Sequence, residues 1–298
     1  MTTLGALGIW SGLDGLTADQ VTEHARRVEA GGYDTLWINE TTGREPFALL
    51  GALSQLTSRV TIGLGIASIY ARDAVAAHAG ARAMADLSGG RFVLGLGVSH
   101  PERVGPQRGH DYLAPVPTMA RYLDAYDAAP YTAPLPAQEP PLILAALRRR
   151  MVELAASRTD GTFPFFVPVS YIRRARAWAD DAAGGAGRAV RPLLVVALPV
   201  VLDSDPATGL AAARIYARWY LSLTNYRANL LECGYTEDDL AAPGRERVVR
   251  DIVAIGDRAV IGARVAAMRE AGADHVALIP IGPDGKVPYG PAIEALAP

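Results

Sequence analysis

Short, almost wholly apolar runs alternate with helical patterns from one end of this chain to the other, and no other feature constrains its fold as tightly. Leu4–Trp10, Thr35–Ile38, Val60–Ile66, Arg91–Val98, Leu142–Ala145, Gly161–Phe165, Leu193–Leu202 and His275–Pro280 each read as a strand. Several lack the polar alternation of a strand with one wet face, the pattern of parallel strands buried on both sides. Helix signals fill the gaps. Thr17 and Gln20 have capping-box spacing ahead of Val21, Ala25 and Val28 on one face. Asp73 is placed to cap a helix ending at Ser88-Gly89-Gly90, and Asp257 to cap another with Ile261, Val265 and Met268 on its apolar stripe. Glu29–Asp34 and Glu270–Asp274 echo each other as helix end, glycine cap and strand entry. Eight strands in unbroken alternation, with no glycine fingerprint after the first, predict a (β/α)8 TIM barrel over residues 1–298 as one domain, not an open doubly wound sheet.

Composition narrows the chemistry. The formal net charge of −2 in 298 residues argues against a nucleic-acid surface. No apolar stretch is long enough to span a bilayer, and the start of the chain, Met1-Thr2-Thr3-Leu4, has no basic segment ahead of an apolar core, so a cytoplasmic protein without signal peptide or membrane span is expected. A single cysteine, Cys233, excludes an internal disulfide and a Cys-X-X-Cys pair. Lys286 is the only lysine among 29 basic residues and falls in a Pro-Asp-Gly-Lys turn, which disfavours Schiff-base chemistry. No His, Asp and Glu set has metal-ligand spacing, so no metal is expected.

In a barrel, chemistry gathers at the C-terminal strand ends. After the second strand stands Glu40, either a hydrogen-bond acceptor or base, or a helix-entry charge; Glu45 reads as first-turn charge. Gly63 and Gly65 in the third strand signal a bulge or close approach to something flat, or ordinary interior packing. His100, just past the fourth strand, titrates near neutrality and is the best acid–base candidate of the five histidines; His24, His78 and His275 read as structural. Arg108-Gly109-His110-Asp111-Tyr112 is a dense polar cluster within the long connection Pro101–Pro140, where one helix is expected near Met119–Asp127. Arg148-Arg149-Arg150 opens a helix after the fifth strand and suits an anion. Trp10, Tyr70, His110, Tyr112 and Phe163 are the residues expected around a substrate, Tyr70 either lining the pocket or packing under the loop, and an aromatic of Asp160–Phe165 is placed to flank a planar group. The surplus helical stretch Asp205–Leu240 is a candidate lid or dimer surface.

Three stretches, Ala30–Trp37, the Ser88-Gly89-Gly90-Arg91-Phe92 turn into Gly95-Leu96-Gly97-Val98, and Glu153–Ala156 leading to Asp160-Gly161, resemble the bacterial luciferase-like oxidoreductases, particularly the branch that uses the deazaflavin coenzyme F420. The resemblance implies a barrel with a flavin or deazaflavin at its C-terminal mouth. It implies that the ring rests on a third-strand bulge near Leu64, Gly65 and Ile66, where relatives commonly carry a non-prolyl cis peptide. By the same matching, Glu40 contacts the ring, Val98 and Ser99 lie beside it, and His100 falls where some relatives place a catalytic acid. Ala145, Ala146, Leu147, Arg148 and Arg149 match the turn that binds the cofactor phosphate. The chain departs from the branch at Glu40-Thr41, where several members have Asp-His, and at Arg148-Arg149, where glycine is usual.

The expectation is an oxidoreductase moving hydride between F420 and a small organic substrate, with His100 transferring the proton and Glu40 assisting. An FMN-dependent monooxygenase on the same barrel is the alternative, a non-catalytic flavin- or deazaflavin-binding protein the second, and a cofactor-free lyase a weaker third. A homodimer is expected because relatives pair barrel helices.

Overall fold

The computed structural model describes residues 4–298; Met1, Thr2 and Thr3, read above for a leader, lie outside the described residues. Its strands are β1 (Leu7–Ser11), β2 (Thr35–Ile38), β3 (Thr61–Ser68), β4 (Phe92–Gly97), β5 (Leu142–Leu144), β6 (Gly161–Thr162), β7 (Leu193–Leu202), β8 (Ala254–Gly256) and β9 (His275–Pro280). All pairings are parallel. The order β6–β5–β4–β3–β2–β1–β9–β7, with β6 also bonded to β7, closes a ring of eight strands with helices between them. This is the (β/α)8 barrel expected. β8 stands apart from the ring, paired only with Val200–Leu202 at the end of β7.

Boundaries moved for identifiable reasons. β1 starts later than expected because Gly5 has φ +67°, and the amides of Ala6 and Leu7 donate to the Asp34 carboxylate at 2.8 and 3.0 Å. β6 is only two residues long, since Pro164 has no N–H to continue the ladder; one bridge, Phe165 to Ala197, resumes it. The connection Pro101–Pro140 holds two helices, Pro101–Arg108 and Pro115–Asp127, where one was expected. Its first begins at a proline, whose missing N–H costs nothing at that position. The Thr17, Asp73 and Asp257 caps are all present.

Successive strand residues divide between two apolar clusters. Leu36, Ile38, Ile62, Leu64 and Leu94 pack with the surrounding helices, while Trp37, Val93, Ile143, Phe163 and Val195 fill the barrel interior. The glycines of β3 make room for the two large rings: a Cβ on Gly63 would lie 2.1 Å from Trp37, and one on Gly65 2.6 Å from Phe163. Below, fully buried His275 accepts from the Trp37 indole at 3.3 Å on Nε2 and meets the Gly5 carbonyl at 3.2 Å through Nδ1. His24, buried on the helix Ala18–Ala30, bonds Ser11 at 2.8 Å. Both are structural, as read.

Candidate active site at the barrel mouth

β3 breaks register between Leu64 and Ala67, and within that break the Gly65–Ile66 peptide is cis, where the resemblance placed it. The Gly65 carbonyl accepts from the Trp10 indole at 2.7 Å, tying the end of β1 to the bulge. Above it lie two adjoining cavities: an outer one of about 490 Å³ and an inner one of about 170 Å³. Ile66, Ser99, His100, Ala145, Phe163, Phe165 and Tyr226 line both.

The outer cavity is bounded by Gly97, Val98, Tyr112 and the turn Ala145–Arg150. That turn is braced from below, the Ala145 amide donating to the Leu96 carbonyl at 2.8 Å and the Tyr171 hydroxyl to the Leu147 carbonyl at 2.7 Å. It leads into the helix Arg149–Arg158, whose start, with Arg148, Arg149 and Arg150, borders one end of the cavity. Arg149 pairs with Glu153 at 2.7 Å and Arg148 with Glu232 at 3.8 Å, both in exposed settings, while Arg150 has no partner among the described residues.

Glu40 and Gly65 belong to the inner cavity. Glu40 is almost fully buried, and both its oxygens are occupied: Arg72 reaches them at 2.6 and 3.2 Å, and the Ser68 amide donates at 2.7 Å. These bonds hold the carboxylate in one orientation. Glu45 caps the helix Pro46–Leu56 and takes a further bond from Arg72 at 3.1 Å.

His100 opens the helix Pro101–Arg108, directly after Ser99, whose φ of +56° is uncommon for a residue with a side chain. Its ring lies 5.2 Å from that of Tyr226. Nδ1 is buried with no hydrogen-bond partner, and no described residue bonds Nε2. Burial lowers its pKa below the usual histidine value, Arg103 adds to that and Glu102 opposes it, so the imidazole is neutral at pH 7. A neutral, unpaired imidazole at a cavity wall can accept a proton.

Of the expected substrate residues, Trp10 and Phe163 line the inner cavity, and Tyr112 and Phe163 the outer. Tyr70 and His110 line neither: their rings pack together at 6.1 Å, and the Tyr70 hydroxyl takes the Leu113 amide, so they brace the loop instead. Leu64 also lines neither, being part of the outward-facing core. The surplus stretch Asp205–Leu240 forms the helices Pro206–Ser222 and Thr224–Glu232, which roof the cavities with Trp219, Tyr220, Leu223, Asn225 and Tyr226. These residues were not anticipated singly, nor were Asn39, Arg103 and Phe165.

The luciferase-like monooxygenase family matches residues 1–275. The chain belongs to that family. A protein of Mycobacterium tuberculosis, described as a candidate coenzyme F420-dependent oxidoreductase, is 27% identical, the match covering 84% of this chain and 87% of that one. Among solved structures, an F420-dependent secondary alcohol dehydrogenase in complex with an F420-acetone adduct superposes with a TM-score of 0.79 at 15% identity, over 100% of this chain and 98% of the other. The FMN complex of a type II Baeyer-Villiger monooxygenase from Pseudomonas putida gives 0.75 at 15% identity, over 98% and 96%. At these identities the two structures speak for the barrel alone.

Among the described residues no helix is long and apolar enough to cross a membrane.

Proposed function

We propose that the cavities hold deazaflavin F420 and a small organic substrate, and that the protein is an oxidoreductase moving hydride between them. The observation that carries this is the neutral, unpartnered His100 between an arginine-rich helix start and a glycine bulge, within one connected space. The residues suit such a group. A planar ring needs a flat, close-packed wall, and Gly65, whose missing Cβ lets the Phe163 ring pack close, forms one with Ile66 and Phe163. A phosphate needs donors and positive charge, which Arg148–Arg150 and the helix amides offer. When bound, the deazaflavin supplies a carbon centre that accepts or gives hydride.

The chain's own part is placement and proton handling. Arg148, Arg149 and Ala145–Leu147 hold the anionic end, and Val98 and Ser99 border the ring. Glu40, fixed by Arg72, keeps the ends of β2 and β3 in register and presents a set charge at the ring's edge. The roof helices exclude water. His100 takes the proton released when a substrate hydroxyl is oxidised and returns it in the reverse direction. The relative from M. tuberculosis supports F420; the FMN-bound fold likeness supports the alternative, a monooxygenase using reduced FMN and oxygen. An unpaired imidazole in a closed space favours turnover over simple carriage.

We also propose a cytoplasmic homodimer: Leu56, Val75 and Leu87 stand exposed on the helices Pro46–Leu56 and Ala74–Leu87, and the single cysteine leaves no internal disulfide.

Replacing Arg148, Arg149 and Arg150 together by glutamine tests the anion assignment. F420 affinity should fall at least tenfold in an equilibrium titration, with the remaining affinity less sensitive to salt. Unchanged affinity would place the cofactor's anionic end elsewhere.

A further inference from the structure

We infer that Arg103 is the substrate-recognition cation of the inner cavity, and that the substrate is a compact carboxylate with an apolar or aromatic body. The inference rests on the functional reading above, because it takes the part of the inner cavity lined by Arg103 and Trp219 to be the substrate side, with the ring against Gly65 and Glu40.

Arg103 lies on the helix Pro101–Arg108, three residues beyond His100, and lines the inner cavity but not the outer. Its Nε is buried with no hydrogen-bond partner, and no described carboxylate forms an ion pair with its guanidinium. Its recorded companion is the face of Trp219, 5.7 Å from ring centroid to guanidinium carbon. The other charged group on that wall, Glu40, is matched by Arg72. Glu102, next in sequence, is not part of the wall and holds Thr224 at 2.7 Å. The cavity therefore carries one uncompensated positive charge.

Arg103 is half-buried with its Nε shut off from water and unpaired, and although the neighbouring Glu102 keeps one buried oxygen without a partner it forms no ion pair with Arg103, so an anionic ligand in the cavity would find an unclaimed guanidinium. Arginine's planar fork suits a carboxylate in bidentate contact, which fixes orientation as well as charge. The rest of the wall sets the body of that ligand. Trp10 and Phe165 lie within 10° of parallel with centroids 6.5 Å apart, and Tyr220 is edge-on to Phe165 at 4.9 Å, so the wall is largely aromatic. His100 and Arg103 share one helix start, so a carboxylate held by Arg103 brings the neighbouring carbon within the imidazole's neighbourhood.

The test is calorimetric titration of the full-length protein with benzoate and with its neutral isostere benzamide. Benzoate should bind at least tenfold more tightly than benzamide. That preference should vanish in Arg103→Met and persist in weakened form in Arg103→Lys, which keeps the charge and loses the fork. A merely structural Arg103 would lower the melting temperature without moving the ratio. Equal binding of the two probes, no binding of benzoate, or a preference that survives Arg103→Met overturns the inference. A parallel F420 titration separates the two claims: F420 binding without a benzoate preference removes this inference and leaves the function standing, whereas failure of F420 to bind removes the functional reading and with it Arg103's role toward a substrate, a benzoate preference then showing a carboxylate site alone.

Discussion

At the scale of single residues, His100 and Glu40 show how burial divides two groups that look alike in the sequence. Both follow a strand end, and both line the inner cavity. Arg72 and the Ser68 amide satisfy the carboxylate completely, whereas nothing among the described residues satisfies the imidazole. The proposed acid–base role therefore belongs to His100, and it has a direct test. Replacing it by glutamine should leave F420 binding within a few-fold and reduce turnover by about 10²–10⁴-fold, the usual contribution of a positioned proton-transfer group. The pH dependence has a definite sign. With its pKa below the ordinary histidine value, the imidazole is in its accepting form at pH 7, so substrate oxidation should fall on an acid limb below that ordinary value. The glutamine variant should lack the limb. A limb that survives the substitution would assign the proton to another group.

Elements carry the next layer. The Arg72 guanidinium joins the end of β2 through Glu40 to the start of the helix Pro46–Leu56 through Glu45, and lies 4.8 Å over Phe47. Arg72→Met should destabilise the protein by about 3–5 kcal/mol in denaturant unfolding, because it strands a buried carboxylate. The double variant with Glu40→Gln should recover much of that loss. A cost under about 1 kcal/mol would mean that water already reaches Glu40. Elements also explain what the chain discloses about itself. β7 and β9 are legible because eight and six buried residues in a row have no wet face to confuse the pattern. β8 is not, since three residues carry no period, and β6, though located, is shorter than its apolar run because Pro164 interrupts the ladder. The strand-end position of His100 and the run Arg148–Arg150 could be read directly, because the chemistry is local to one turn. Trp219, Tyr220 and Tyr226 could not, because which face of a roof helix turns inward is decided by packing against distant strands. Tyr70 takes the second of its two readings, packing under the loop: its ring meets that of His110 and its hydroxyl accepts from the Leu113 amide.

At the scale of the whole molecule, a closed ring of strands fixes the bulge, the arginine turn and His100 on one rim, and it also buries titratable groups. His24 and His275 have pKa values lowered from 6.5 to about 4, chiefly by desolvation. Each binds a proton more readily unfolded than folded, so its contribution is fully present above pH 6.5 and is lost as the pH falls toward 4. The difference corresponds to about 3 kcal/mol per histidine. The melting temperature should therefore drop between pH 7 and pH 4.5, and His24→Gln should flatten the drop relative to its own value at pH 7. An equally steep drop in that variant would move the effect to the carboxylates. The account as a whole stands on what the mouth binds. Titrating the protein with F420 and, separately, with FMN, following the fluorescence of Trp10 beside Gly65, tests that most directly. Saturable quenching by F420 with much weaker binding of FMN is the predicted result. The reverse preference would make this an oxygen-dependent flavin enzyme, and binding of neither would contradict the account at its centre.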